Sequence, residues 1–398
     1  MKLEVLKTEF EELYGKNNNE LFYFFAPGRV NLIGEHTDYN NGFVLPAALS
    51  FGTYLLARKN DDNTLRLATA NFEYKAEISL DKLESKHEGQ WVNYPLGVIQ
   101  EFYKMDKTIG GLDMYYSGNI PAAAGLSSSA SIELVTAVAI NEIYDYLLDP
   151  LDLVHMSVRA EREFVGVQCG IMDQFIVGKG KEQSALFLNC GTEQYVHVPF
   201  TPADYRLVIA DTRKVRKLSD SKYNERVAEC QAGLNAIRKE IDIQSLGELN
   251  IEALEDAEKL IVDPIILKRV RHVVTENRRV LDAVNALMNS QFDIFGELMN
   301  RSHTSLREDY EVTGIELDTM VELAQQQKGV LGSRMTGAGF GGCTVSLVKE
   351  SCVKNFIKNV GKKYAFKTGL KAEFYLPEIV NGARRVPSAE FRVPNSDL

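Results

Sequence analysis

The chain lacks a basic excess: 45 Lys and Arg stand against 55 Asp and Glu, a formal net charge of −10. Nucleic acid or an anionic membrane is therefore excluded as the main partner, and any bound phosphate must be held locally by backbone amides or a metal. Cysteine is scarce and unpatterned. Cys169, Cys190, Cys230, Cys343 and Cys352 fall at no zinc-type spacing, and the six histidines are dispersed. An odd, scattered set of thiols suits a reducing compartment, so a cytoplasmic setting is expected. No apolar run approaches membrane-spanning length, and Met1 to Phe10 mixes charges into its apolar residues with no signal-peptide core. There is no internal repeat and no low-complexity segment. The Ser-rich loop at 125–131 is not closed by Gly-Lys-Ser/Thr, which rules out a Walker A site.

What is present is ample for folding. At 398 residues, 45% hydrophobic and 25% charged, the chain can form two domains with a core each. The central stretch is Gly118 to Ser131. Leu112, Met114 and Tyr116 before it alternate as in a strand. Ile132, Val135, Ala139, Ile140, Ile143 and Leu147 after it recur at helical spacing. A loop of small residues between a strand and a helix N-terminus exposes chain amides and a positive dipole end, which favour an anion. Ser127, Ser128 and Ser129 add hydroxyls, one of which could ligate Mg²⁺. A Ser-rich helix cap without ligand fits the same residues.

A literal G-x-G-x-x-G occurs at Gly337, Gly339 and Gly342, but the strand-like Cys343 to Val348 follows it. A dinucleotide fingerprint must open a helix, so a Rossmann site is excluded there. Further upstream, the aromatic strand Leu21 to Phe25 is expected to stop at Pro27-Gly28. The loop beyond it carries Arg29, Glu35, His36 and Asp38 within ten positions. Carboxylates and an imidazole so close together can serve the vicinal hydroxyls of a sugar. Asp173, between apolar neighbours after Gly170, is either a helix cap or a carboxylate in a partly dry pocket; composition does not choose. Helices are expected over residues 2–14, from the stretch beginning at Trp91 to about Tyr103, and over 151–164, 264–289, 291–301 and 316–327. A helix opening at 219 and one bearing Val353, Phe356, Ile357, Val360 and Tyr364 complete the set. Pro199 to Pro202 marks a boundary, giving domains at 1–200 and 201–380, with a mobile polar tail over 381–398.

Four stretches together resemble the galactokinase family of the GHMP small-molecule kinases. They are Pro27 to Tyr39, Gly125 to Ser131, Gly170-Ile171-Met172-Asp173-Gln174-Phe175 and Met335 to Cys343, in family order across about residues 20–380. The resemblance implies an α+β, two-domain fold, with an N-terminal α/β domain, a ferredoxin-like C-terminal α+β domain and the active site in the cleft between them. It implies ATP-dependent phosphorylation of the C1 hydroxyl of galactose. By similarity, Glu35, His36, Thr37, Asp38 and Tyr223 hold the sugar, and Asp173 and Arg29 are catalytic. Ala123, Ala124, Gly125, Leu126, Ser127, Ser128 and Ser129 wrap the ATP phosphates, while Ser129 and Glu161 hold Mg²⁺. Trp91 and Tyr94 lie near the nucleotide. A monomer with no nucleic-acid or membrane partner is expected. An N-acetylgalactosamine kinase and a non-catalytic galactose and ATP sensor are the alternatives. Such sensors lack the Ser-Ala step that is present here as Ser129-Ala130.

Overall fold

Apolar alternation in the first half builds one large sheet, and a second such run after residue 204 builds another. The computed structural model describes residues 3–83, 86–121, 125–167, 169–214 and 219–388, the side chains of 219–221 excepted. Ala123, Ala124 and residues 389–398 lie outside the described residues.

The first half runs α1 (Leu3–Tyr14), β1 (Phe22–Asn31), β2 (Phe43–Val44), β3 (Pro46–Lys59), β4 (Thr64–Thr69), β5 (Ala76–Ser79), α2 (Asn93–Lys104) and β6 (Leu112–Gly118). Next come α3 (Ser128–Ile143), α4 (Pro150–Arg159), α5 (Met172–Lys179), β7 (Ser184–Asn189) and β8 (Tyr195–Pro199). The second half runs β9 (Tyr205–Asp211), α6 (Ser219–Ile237), α7 (Leu254–Lys259), α8 (Pro264–Met288), α9 (Phe292–Glu308) and α10 (Ile315–Gln325). It ends with β10 (Val330–Thr336), β11 (Cys343–Lys349), α11 (Val353–Thr368), β12 (Glu373–Tyr375) and β13 (Arg384–Arg385).

Six strands lie in the order β13-β1-β3-β6-β4-β5, antiparallel except for the parallel pair β4 and β6. Helix α3 packs on β1 and β3 and against α2 and α4. Ala130, Leu134, Val135, Ala137 and Ile140 are all buried, because a helix covered on most faces must be apolar on most faces. The second sheet is antiparallel with the order β10-β11-β9-β12. Numbered by its own strands, that is the 2-3-1-4 order of a β-α-β-β-α-β unit, the ferredoxin-like arrangement, with α6 to α10 between its first two strands. The α+β class expected from sequence therefore holds. Strands β2, β7 and β8 form a third, small sheet.

Three features depart from the expectation. Strand β1 does not stop at Pro27-Gly28. It continues to Asn31 through a register shift between Pro27 and Arg29, so Arg29 stands on a strand and not in a loop. The helix expected over 151–164 changes at Ala160–Val165 to a π-helix, in which the Gly166 amide donates to the Glu161 carbonyl at 2.9 Å. Finally, residues 381–386 are no free tail. Phe24 and Phe25 pair with Arg385 and Arg384, Ala383 N–H donates to Val177, and the Glu182 amide donates to the side chain of Asn381. Aromatic cover explains the docking, since the Arg385 and Arg384 guanidinium carbons sit 4.7 Å over Phe22 and 5.3 Å over Phe25. Among the described residues no helix is long and apolar enough to cross a membrane.

Candidate active site

Three elements meet at one cavity of about 460 Å³: the bulged end of β1, the start of α3 and the first turn of α5. Gly28 makes the meeting possible, because a side-chain carbon there would stand 2.7 Å from the Leu126 carbonyl oxygen. With the strand this close, Arg29 N–H donates to that carbonyl at 3.1 Å, and Arg29 Nη1 donates to the Gly125 carbonyl at 2.7 Å. The rest of the guanidinium grips Asp173 with both prongs, Nε to Oδ1 at 2.8 Å and Nη2 to Oδ2 at 2.9 Å. Ser127, in the left-handed region at φ 60°, also donates its hydroxyl to Asp173 Oδ2. Asp173 is thus a wall carboxylate in the first turn of α5, and no side-chain cap bond forms there.

The sugar-type residues divide. Asp38, His36 and Tyr223 line the same cavity as Arg29 and Asp173. Burial, and then the Asp173 charge, push the Asp38 carboxyl up to about 6. Gly170 leaves room for it: a side-chain carbon at 170 would fall 2.0 Å from Asp38 Oδ2. His36 is neutral, because burial lowers it to about 3, with the His272 charge acting in the same sense. Its tautomer follows from its partners. The Ala338 carbonyl, 3.2 Å from Nε2, can only accept, so Nε2 carries the hydrogen and Nδ1 accepts from the Tyr39 hydroxyl at 2.9 Å. Tyr39 must then accept from Tyr310 at 2.7 Å, and Tyr310 from the Cys230 thiol at 3.0 Å. The Tyr223 ring lies beside this row, 5.8 Å from His36 and 5.3 Å from Tyr39.

Glu35 lines the cavity floor, but four protein donors hold its oxygens. Arg334 Nη2 at 2.5 Å and Asn31 Nδ2 at 2.9 Å reach Oε2; Thr336 Oγ1 at 3.1 Å and the Gly337 amide at 2.9 Å reach Oε1. Burial raises its carboxyl and Arg334 opposes that rise. Thr37 does not face the cavity. It is fully buried and its hydroxyl lies between the Gly34 and Phe43 carbonyls at 2.8 and 2.7 Å, so it ties the turn and is removed from the sugar set.

At the α3 side of the cavity, Ser129 lines it and Ser128 is exposed on the opening turn of the helix. Leu126 turns its side chain into a buried apolar cluster and offers only backbone. Glu161, which projects from the π-helical turn, lines the cavity together with Ser129. Burial raises the Glu161 carboxyl, and the Asp173 charge adds to the rise while Ser129, Cys169 and Gln174 oppose it. Tyr94 is nearby: burial and then Glu161 and Glu133 push its hydroxyl up to about 12. Trp91 is not at the cavity. It donates to the Tyr74 carbonyl at 2.9 Å and packs edge-on against Tyr116, half-buried against the first core cluster.

Gln174, Gly170, Arg334 and the Tyr39–Tyr310 pair contribute to the site although sequence reading gave them no role. Arg334 alone carried a signal, as a charged residue inside an apolar strand leading into a glycine turn.

Comparison with known proteins gives the family and the fold. Family models for the galactokinase galactose-binding signature, the GHMP kinases N terminal domain and the GHMP kinases C terminal match residues 8–59, 93–181 and 283–365. A galactokinase of Fusobacterium nucleatum is 50% identical over 391 residues, spanning 96% of this chain and 100% of that protein. One of Clostridium beijerinckii is 47% identical over 387 residues, covering 96% of this chain and 99% of its own. The crystal structure of Lactococcus lactis galactokinase complexed with galactose superposes with a TM-score of 0.93 at 44% identity, covering 96% and 100% of the two chains. Methanococcus jannaschii mevalonate kinase, 18% identical with a TM-score of 0.67 over 92% of this chain and all of its own, shares the fold.

Proposed function

The chain belongs to the galactokinase family of GHMP kinases, and from that premise we propose that Asp173 and Arg29 carry γ-phosphoryl transfer from ATP to the C1 hydroxyl of galactose. The observation behind this reading is the two-pronged Arg29–Asp173 pair set directly against Gly125 and Ser127. One carboxylate there can receive the hydroxyl while the adjoining loop and helix N-terminus receive the triphosphate.

Asp173 Oδ1 holds one donor, so a lone pair remains for the C1 hydroxyl proton. Arg29 spends three of its five N–H donors on Asp173 and Gly125, and the other two can face the transferring group. Phosphoryl transfer is largely dissociative, so aligning the hydroxyl is as much Asp173's task as taking its proton. Asp38 accepts sugar hydroxyls, His36 and Tyr223 form the apolar-edged wall, and Glu35 sets the floor.

Ser129 and Glu161 offer oxygen ligands only, the donor set Mg²⁺ takes when phosphates complete its shell. Glu133, fully buried behind them, has an oxygen with no partner among the described residues; burial and then the Glu161 charge raise its carboxyl, and a cation held at Glu161 would relieve that crowding of acids. Bound there, Mg²⁺ would neutralise charge on the β- and γ-phosphates.

Two outcomes test the reading. The purified chain with MgATP is expected to release ADP when given galactose and to yield a C1 phosphate ester by phosphorus NMR; ADP release with N-acetylgalactosamine and none with galactose would reverse the substrate assignment. The second test is pH. The native Asp38 carboxyl binds its proton more tightly than the unfolded chain, so its cost to stability grows as pH rises from 3.8 to about 6 and is complete above that. Asp38→Asn is therefore expected to melt higher than the parent at pH 7.5, with the gap closing by pH 4, and to bind galactose weakly. The parent's galactose affinity should fall as pH drops through 6. A parent affinity that is flat across that range would remove Asp38 from the sugar site.

A further inference from the structure

We propose that Gln174, backed by Glu133, is the positioning residue that holds the Glu161 carboxylate in place for the metal and ties it to Asp173 through one helix turn. The proposal rests on the functional reading above. Gln174 is fully buried, and its side-chain nitrogen reaches two carboxylates, Glu133 Oε2 at 3.0 Å and Glu161 Oε2. Carboxylates accept, so the amide must present its NH₂ to them and both hydrogens are used. Glu161 is thereby fixed from behind, and Ser129 lines the cavity with it on the other side.

The spacing on two helices makes this a coupling and not a chance contact. Ser129 and Glu133 are four residues apart on α3, hence one turn apart on one face. Asp173 and Gln174 are consecutive in the first turn of α5. One of them faces Arg29 and Ser127, the other faces Glu133 and Glu161. The group that receives the sugar hydroxyl and the group that steadies the metal ligand thus move as one rigid piece. Glu133 has no accessible surface, and among the described residues neither its Oε1 nor Gln174 Oε1 has a hydrogen-bond partner. A cation held at the Ser129–Glu161 site would offset the crowding of Glu133 with Glu161.

The test separates positioning from space-filling. Gln174→Met keeps volume and removes the amide. ADP binding is followed by calorimetry across a Mg²⁺ titration, with galactose binding measured alongside. Gln174→Met is expected to raise the Mg²⁺ concentration for half-maximal ADP binding about 10–100-fold while galactose affinity stays within about threefold. Glu133→Gln should shift the same midpoint in the same direction by a smaller factor. A Gln174→Met midpoint equal to the parent's would overturn the proposal, and so would an equal loss in metal and galactose binding, which means only that α5 has loosened. If Gln174→Met does not fold, an unmoved midpoint in Glu133→Gln overturns it. A parent that binds neither galactose nor ADP with Mg²⁺ would instead sink the functional reading.

Discussion

Asp173→Asn is expected to lower kcat by about 10²–10⁴-fold, the usual contribution of a positioned acid or base, with galactose still bound. The amide keeps the shape of the carboxylate but places a donor where an acceptor was. Arg29 aims Nε and Nη2 at the two oxygens, so one of those prongs would meet an N–H whichever way the amide turns. Ser127 can rotate its hydroxyl to accept, but the guanidinium cannot. The loss therefore has two parts, the missing proton acceptor and an Arg29 no longer held against Gly125. Both are felt in the transition state more than in the sugar complex, so kcat and kcat/KM for galactose should fall together. Steady-state ADP release with a galactose binding isotherm decides it. A variant within a few-fold of the parent would show that Asp173 neither receives the proton nor aligns the hydroxyl.

Much of this site was legible because its chemistry is local in sequence. The strand, the small-residue loop and the helix after it could be read from periodicity, and so could the clustering of Arg29, Glu35, His36 and Asp38. Where the reading failed, the cause was a partner far along the chain. Pro27-Gly28 reads as a strand end, yet β3 continues to pair with β1 past it through the shift, down to Asn31 with Pro46. Thr37 looks like its polar neighbours, but a turn has no periodicity to say which side chain faces in, and Thr37 faces the Gly34 and Phe43 carbonyls. The polar stretch from Asn381 reads as a tail because nothing local covers it; Phe22 and Phe25, more than 350 positions away, do so. Glu161 was named as a metal ligand by resemblance, whereas the π-helical turn that aims it follows from packing and leaves no mark in the apolar spacing.

The same distance in sequence hid Arg334, whose replacement by Met is expected to cost about 3–5 kcal/mol of stability, the range for a buried ion pair deprived of one partner. Arg334 has no exposed surface. It donates to Glu35 Oε2 at 2.5 Å and to the Asn31 and Leu32 carbonyls at 3.1 and 3.2 Å, so one side chain of β10 closes the end of β1. Glu35 returns the tie by accepting the Gly337 amide, which places the glycine turn against Gly125 before α3, with Gly337 3.4 Å from the Gly125 carbonyl measured from where its side-chain carbon would stand. The loop holding Glu35 is pinned from the other side as well: His272 donates to the Glu35 carbonyl at 3.1 Å, and Glu276 accepts the Gly34 amide at 3.0 Å. Burial alone would raise Glu276, but Arg279, His272 and Arg334 bring it down to about 2, so this acid stays charged and is no substitute partner for Glu35. Removing Arg334 therefore takes the charge partner from a buried Glu35 carboxylate and a donor from the Leu32 carbonyl, while the Asn31 carbonyl keeps the Thr336 hydroxyl at 3.0 Å. Urea midpoints of the parent, Arg334→Met and the double variant with Glu35→Gln give the measurement. The double variant should recover part of the loss, because the amide can still accept from Gly337 and brings no charge into the floor. A single variant within about 1 kcal/mol of the parent would mean that the Arg334–Glu35 tie is not what holds β1, β10 and the glycine turn in register.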